Sequence, residues 1–464
     1  MNNIWPQLTC GAALVLSSAS ALAQELPACD DLGLPNPIYG AGGSAITPSL
    51  RQVAPFLASL PEPVSVLFSD PSACNGYAEF LANAVTTPFR YWGADGVEQQ
   101  CAPRAGGQPV DFAHMGNPAD FCPNQVLPPG VVDLQAPIQT LNFIVDSDSP
   151  EQAISAEALY FIFGFGAAGG VAPWTNTEHL VRRGNASFVH LFAAAAAGLP
   201  PTGFVPGATE VASNGESVTR LVAFGEASPT TPLAYVAGST ADGARATVRT
   251  LAFQNAGESC AHWPDSSADA FDKVNVRSGD YALWTPGHFF YRVDAETGVA
   301  QNPVAAEALG WITGDVPTPF AADITARVIR AGDIPHCAMR ARRSGVIGPI
   351  EPFTPSVACG CFFEQTATGA APSACRACAS DADCSVGTSC SFGFCEATAS
   401  TPDAGVPLPP TAADAGAPPA AECSASFDNL ARIPGFDGTT LPPLPPPPAP
   451  AAAAAQALPA AARR

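Results

Sequence analysis

Lysine is almost missing from these 464 residues: Lys273 is the only one, and arginine supplies the other positive charges. Twenty Lys and Arg stand against 41 Asp and Glu, for a formal net charge of −21. Such an acidic chain excludes nucleic acid and anionic membrane surfaces as partners. The shortage of lysine itself reads as a codon bias toward GC rather than as chemistry. Long apolar runs are equally scarce. After residues 11–22 none is long and charge-free enough to span a bilayer, so no membrane insertion is expected. Enzyme signatures are missing too: no Gly-x-Ser-x-Gly elbow, no Walker loop and no His-Glu-x-x-His. No enzymatic activity, cofactor or metal is expected.

What is present begins with a secretion signal. The apolar run Gly11 to Leu22 ends in Ala21-Leu22-Ala23, a small-residue cleavage signature that makes residues 1–23 a signal peptide and Gln24 the first mature residue. The stretch Met1 to Leu8 has no Lys or Arg, and Cys10 precedes the apolar run, out of place for a lipoprotein cysteine. Fifteen cysteines less Cys10 leave fourteen, enough for up to seven disulfides in an oxidising compartment. The expected location is periplasmic or extracellular, including the cell surface.

Composition divides the mature chain in three. Residues 24–345 are mixed, with segments of helix and strand length. Residues 355–396 form a cysteine-rich module, with Cys375-x2-Cys378-x5-Cys384-x5-Cys390-x4-Cys395 at its centre. Zinc at Cys375 and Cys378 is the competing reading, and export favours disulfides. From 397 to 464 the chain is rich in Pro and Ala, a composition expected to be disordered with polyproline II character. Cys423 interrupts it and is expected to tie back to the module.

Within the main region, Val64 to Phe68, Gln139 to Val145, Leu233 to Val236 and Val248 to Phe253 read as strands. Ala153 to Phe163 and the alanine-rich Phe188 to Ala197 read as helices, and Gly198-Leu199-Pro200-Pro201 stops the second. Ser213-Asn214-Gly215-Glu216 carries a Ser-x-x-Glu capping box before Val218 to Phe224. The alternation predicts an α/β fold. Its most informative stretch is Ile38-Tyr39-Gly40-Ala41-Gly42-Gly43-Ser44-Ala45-Ile46-Thr47-Pro48. Here an apolar lead-in runs into a glycine turn, a hydroxyl and a helix start, the local chemistry of an anion cradle.

The order of these pieces resembles the phosphate-type family of periplasmic solute-binding proteins. Ile38 to Pro48 is similar to that family's opening loop and Ser72-Ala73-Cys74-Asn75-Gly76 to its second. Ala156 to Gly164 with Pro173-Trp174-Thr175-Asn176, then Gly207 to Phe224 and Leu233 to Ala241, resemble its later segments. The resemblance implies a two-lobed type 2 periplasmic-binding-protein-like fold. Lobe 1 would hold residues 27–130 and 286–345 and lobe 2 residues 131–285, with crossings near 129–145 and 281–293. It also implies a cleft ligand, an inorganic oxyanion or small solute, and a transporter permease or cell-surface partner. By position it assigns Gly43, Ser44, Ser72, Arg182, Asn185 and Ser187 to ligand binding. Two departures follow. The family's Ser-Asp pair is replaced by Met115-Gly116 after Asp111 to His114, and its Arg…Ser-Gly-Thr loop by Arg182-Arg183-Gly184-Asn185-Ala186-Ser187.

Each candidate has a plainer reading. Ser44, Asn185 and Ser187 are equally good helix caps, and Arg182 and Arg183 equally good solvated arginines. Cys260-Ala261-His262 is a weak metal pattern, and a disulfide to Cys337 is the expected use of Cys260. The sequence therefore points to an exported solute-binding-type protein with a divergent anion or small-solute cleft. The alternatives are a cell-surface interaction or adhesion protein using the fold as a scaffold and, third, an extracellular hydrolase acting through Ser44.

Overall fold

The computed structural model describes residues 25–343, 345–399 and 423–445; the expected signal peptide, residues 1–23, lies outside them. The first lobe is entered through β1 (Pro37–Gly42), α1 (Thr47–Ala58), β2 (Ser65–Ser69), α2 (Ala73–Ala82), β3 (Phe89–Trp92), β4 (Glu98–Cys101) and β5 (Phe112–Met115). A 16-residue strand, β6 (Val131–Asp146), then crosses into a second lobe. That lobe contains β7 (Ala153–Ser155), α3 (Ala156–Phe165), β8 (Val181–Arg183), α4 (Phe188–Ala196), β9 (Thr209–Val211), α5 (Asn214–Gly225) and β10 (Ala234–Ala237). It continues through α6 (Gly238–Gly243), β11 (Val248–Thr250), β12 (Ala252–Gln254), β13 (Ala261–His262) and α7 (Val274–Ser278). The chain returns along β14 (Trp284–Arg292) to α8 (Pro303–Thr313) and α9 (Ala321–Arg330) of the first lobe.

Strand order shows the two-lobed plan directly. In lobe 1, β1 lies between β2 and β5, parallel to both, and β14 runs antiparallel beside β5. In lobe 2, β8 pairs in parallel with β9 and meets β10 through the Leu180–Leu233 bridge, while β10 and β11 flank the far half of β6. Both lobes thus repeat one order around a strand borrowed from the other. The borrowed strands, β6 and β14, pair antiparallel from Trp284–Thr140 to Arg292–Val131. From Ala136 to Asp146 every residue of β6 is buried, as expected of a central strand covered on both faces. The fold is a two-lobed, type 2 periplasmic-binding-protein-like α/β structure.

Local chemistry sets the element ends. Ser155 Oγ accepts from Ala158 N–H at 3.0 Å and starts α3, so the helix expected from Ala153 begins only after the short strand β7. Ser213 Oγ caps α5 by accepting from Glu216 N–H, but the Glu216 carboxylate reaches back to Ala212 N–H instead of closing the box on Ser213. In lobe 1, Ile38, Val66, Phe68, Phe112 and Phe289 pack against Leu50 and Val53 of α1 and Ile324 and Val328 of α9.

Among the described residues seven disulfides form: Cys29–Cys101, Cys74–Cys122, Cys260–Cys423, Cys337–Cys359, Cys361–Cys375, Cys378–Cys390 and Cys384–Cys395. Two expected pairings change. Cys260 bonds Cys423 rather than Cys337, and Cys423 therefore anchors to lobe 2 rather than to the cysteine-rich module.

The expectation of an unstructured chain from 397 onward fails for residues 423–445. Phe427 stacks on Trp174 at 6.3 Å, Ile433 is buried, and Arg432 pairs with Glu151 at 2.7 Å. Average composition hid this short apolar stretch among the surrounding prolines and alanines. The rest of that region, 400–422 and 446–464, lies outside the described residues.

The expected lobe boundary also shifts. Ile334 bridges Ile138 of β6, and residues 338–343 run along lobe 2, where Arg277 Nε donates to Ala338 O at 3.0 Å. Helix α10 (Gly360–Thr368) then returns to pack on α9.

Candidate functional site

A cleft of about 670 Å³ opens between the lobes, lined by Ser44, Asp70 and Arg90 of lobe 1 and by Ser213, Asn214 and Ser239 of lobe 2. Its lobe 1 wall is built by the glycine loop after β1. Gly43 N–H donates to His114 O at 3.1 Å, which turns the chain into one 3-10 turn, Ser44–Ile46, ahead of α1. Helix α2 presses on this loop so closely that a Cβ at Gly76 would lie 2.4 Å from Gly42 N, which explains glycine there.

The two walls touch at polar contacts. Asn214 Nδ2 donates to Ser44 Oγ at 3.3 Å, and Ser239 Oγ to Ala45 O at 3.5 Å. Deeper in, Cys74 N–H donates to Ala186 O at 3.1 Å, joining the first turn of α2 to the loop before α4. This seam joins the chain just after Ser72 to the loop that follows Arg183. Ser72, just before α2, sits at φ +122°, a conformation that costs a non-glycine residue about 1–3 kcal/mol. Its hydroxyl is buried without a hydrogen-bond partner among the described residues.

Strand β8 alternates, and this separates the two arginines. Arg182 turns to Glu210, with Nη2 2.6 Å from Oε2. Arg183 is 3% exposed; its Nε and Nη2 donate to Val211 O and Ala212 O, while Nη1 is buried without a partner. Burial lowers the Arg183 pKa, against the opposing charges of the Tyr235 phenol and of Asp70 across the seam. Burial likewise raises the Asp70 pKa, with Arg90 at 3.4 Å and then Arg183 pulling it back. Such an unpartnered guanidinium N–H and hydroxyl call for water or a ligand.

Of the other expected residues, Gly43 packs against Ala73, Asn185 is exposed, and Ser187 is buried at the start of α4 without a side-chain cap. Asp111 accepts from Tyr39 N–H and Asn302 Nδ2 and so braces lobe 1 away from the cleft. At Gly116 a Cβ would lie 2.3 Å from the Phe188 ring, so that aromatic covers the place where the resemblance would put an aspartate. Ser44 bonds Asn214 and, among the described residues, no histidine. Cys260 is spent in its disulfide.

Asp70 and Asn214 escaped the sequence reading, and of the two arginines it weighed it assigned Arg182 rather than Arg183 to the ligand. Asp70 stands two residues before Ser72, and Asn214 lies inside the recognised capping box; both signals were there to use. At the far end of the cleft lies a buried ionic group. The Lys273 ammonium sits 3.0 Å from Asp265 and 2.8 Å from Asp242, and Arg245 binds both carboxylates at 2.6 Å.

No protein-family model matches the sequence, and no curated protein matches it. Among solved structures the chain is similar to a protein from Clostridium perfringens assigned as a phosphate ABC transporter substrate-binding protein and solved with bound phosphate. The identity is 11% and the TM-score 0.44, over 65% of this chain and 99% of that one. It is similar to an ABC-type phosphate transport receptor from Vibrio cholerae at 15% identity and TM-score 0.41, over 64% and 99% of the two chains. The OxyR regulatory domain from Pseudomonas aeruginosa follows at 11% and 0.34, over 60% and 98%. With scores this low, the fold assignment rests on the strand order and the two crossing strands. The phosphate-type solute-binding proteins that the sequence resembles are thus among the structures this chain is similar to, and the likeness concerns the fold, not the ligand.

Proposed function

We propose that the protein is an exported solute-binding-type protein that holds a small polar solute between its lobes. The observation that carries this reading is the cleft itself, to which lobe 1 contributes Ser44, Asp70 and Arg90 and lobe 2 Ser213, Asn214 and Ser239; Ser72 Oγ and Arg183 Nη1 are in addition buried donors without a partner among the described residues. A ligand oxygen that reached either donor would satisfy it, and a charge-assisted bond to Arg183 contributes roughly 1.5–3 kcal/mol. Tight capture of phosphate dianions is disfavoured. Asp70 stands at the site, the Ser-Asp pair is replaced, and the chain carries 21 negative charges in excess. The seven disulfides support an oxidising compartment. Thermal denaturation of the full chain with phosphate, sulfate, amino acids and simple sugars tests the reading. One class should raise the midpoint, and Asn214→Ala should reduce the shift; a flat panel contradicts solute binding.

A second reading, a cell-surface interaction protein that uses the fold as a scaffold, draws support from the C-terminal module. Helix α10 packs on α9 of lobe 1 and is held by Arg277 of lobe 2, a brace unsuited to repeated hinge opening on a permease. Pull-down from envelope fractions with the full chain would identify such a partner.

A further inference from the structure

Phe271 is a large apolar side chain left 45% exposed on the wall of the cleft. It is held from behind. The Arg245 guanidinium lies 3.9 Å from the centroid of its ring and the Lys273 ammonium 5.9 Å from it. Arg245 in turn is immobilised through all its donors. Nε and Nη2 donate to Asp242 Oδ1 and Nη2 also to Asp265 Oδ2, while Nη1 donates to the carbonyls of Ala268 and Ala270. The turn that carries the ring is pinned by Asp272, whose carboxylate accepts from Ser266 N–H and Oγ.

The guanidinium has its hydrogen bonds without Phe271, so the ring is not needed to satisfy it. What the arrangement supplies is a rigid aromatic plate with a cation over one face and part of its surface left open on the cleft wall. The cleft lining carries hydroxyl, amide and carboxylate groups, among them Gln52 of lobe 1 and Ser213, Asn214, Ser239, Thr240 and Asp242 of lobe 2, beside the apolar Val218 and Ile329. A flat apolar face ringed by hydrogen-bonding edges is the surface of a pyranose. Its C–H face can lie on a phenyl ring while its hydroxyls, each both donor and acceptor, meet partners of either kind.

We propose that Phe271 is the stacking platform of a saccharide site, so that the solute taken into the cleft is a neutral mono- or disaccharide. This rests on the reading of the cleft as a solute site and names the ligand class. Phe363 of the lining is buried, so Phe271 is the aromatic the described cleft exposes, and the hydroxyl, amide and carboxylate groups in the same lining favour a polyol over a flat hydrocarbon ring.

Saturation-transfer NMR on the full chain tests it, with glucose, galactose, mannose, N-acetylglucosamine, cellobiose and maltose as probes and with phosphate and indole as separate arms. At least one sugar should receive saturation, strongest at its ring C–H protons. Phe271→Ala should weaken its affinity about tenfold or more, and Phe271→Trp should retain it, with an unchanged melting midpoint showing that both variants fold. Sugar binding indifferent to Phe271→Ala overturns the platform. Phosphate or indole binding without any sugar overturns the ligand class but leaves the cleft reading standing. No response from any probe overturns both.

Discussion

Arg277 of lobe 2 donates through Nη1 to Glu364 of α10 at 2.5 Å, and its side chain is 1% exposed. The same guanidinium donates to Gly360 O and Ala338 O and lies 4.7 Å from the Phe363 ring, whose helix packs on α9 of lobe 1. One buried arginine therefore holds the C-terminal helix across the lobe boundary, and the disulfide Cys337–Cys359 fixes the start of that helix.

Cutting this brace should loosen the lobes before it unfolds them. Glu364→Ala leaves Arg277 buried without its carboxylate, a change of about 3–5 kcal/mol for a buried pair. Hydrogen exchange should rise at the seam amides, Cys74 above all, while β2 inside lobe 1 stays protected. Equal acceleration in both would mean that α10 does not brace the lobes.

Ser72 should trade stability for binding. Glycine adopts φ +122° without strain, so Ser72→Gly should raise stability by up to about 1 kcal/mol in urea denaturation. The same change removes the orphaned hydroxyl and should weaken whichever solute the cleft takes.

Asp333 should make stability fall as pH rises. The carboxyl is 2% exposed and accepts from Ser49 Oγ at 2.6 Å; burial, against the bond from Ser49, pushes its pKa up to about 7 from an ordinary 3.8. Between these values the folded chain binds the proton and the unfolded chain does not. Its stabilising effect is therefore complete below about pH 4 and is lost as pH climbs through 7, on the order of a few kcal/mol. Urea melts of wild type and Asp333→Asn from pH 4 to 8 should diverge, with the shallower slope in the variant.

Much of the fold was legible, because glycine turns, capping residues and apolar alternation act over a few neighbours. Ser213 caps the helix that it announces, whereas the Ser155 cap that starts α3 went unread. The site was less so. Nothing local distinguishes Arg182 from Arg183 until a three-residue strand decides which one faces inward. Asn214 becomes a cleft residue only when the second lobe swings it against Ser44, 170 positions away. Long-range covalent pairing was likewise hidden: Cys260 and Cys423 are 163 residues apart, and spacing cannot rank such partners.

The Cys260–Cys423 bridge should hold residues 423–445 on lobe 2. Replacing both cysteines by serine should cost about 2–5 kcal/mol. It should also open the segment around Phe427 to limited proteolysis, read by mass spectrometry. Unchanged cleavage would show that Phe427, Arg432 and Ile433 suffice to hold it.

The central claim, that one solute is gripped by both lobes, is tested most directly by amide chemical-shift mapping of the isotope-labelled full chain during titration with the polar solute panel. One ligand should shift Ser44 and Ser72 of lobe 1 together with Arg183 and Asn214 of lobe 2, at a single saturating concentration. Shifts confined to one lobe, or none at any of the four, would contradict it.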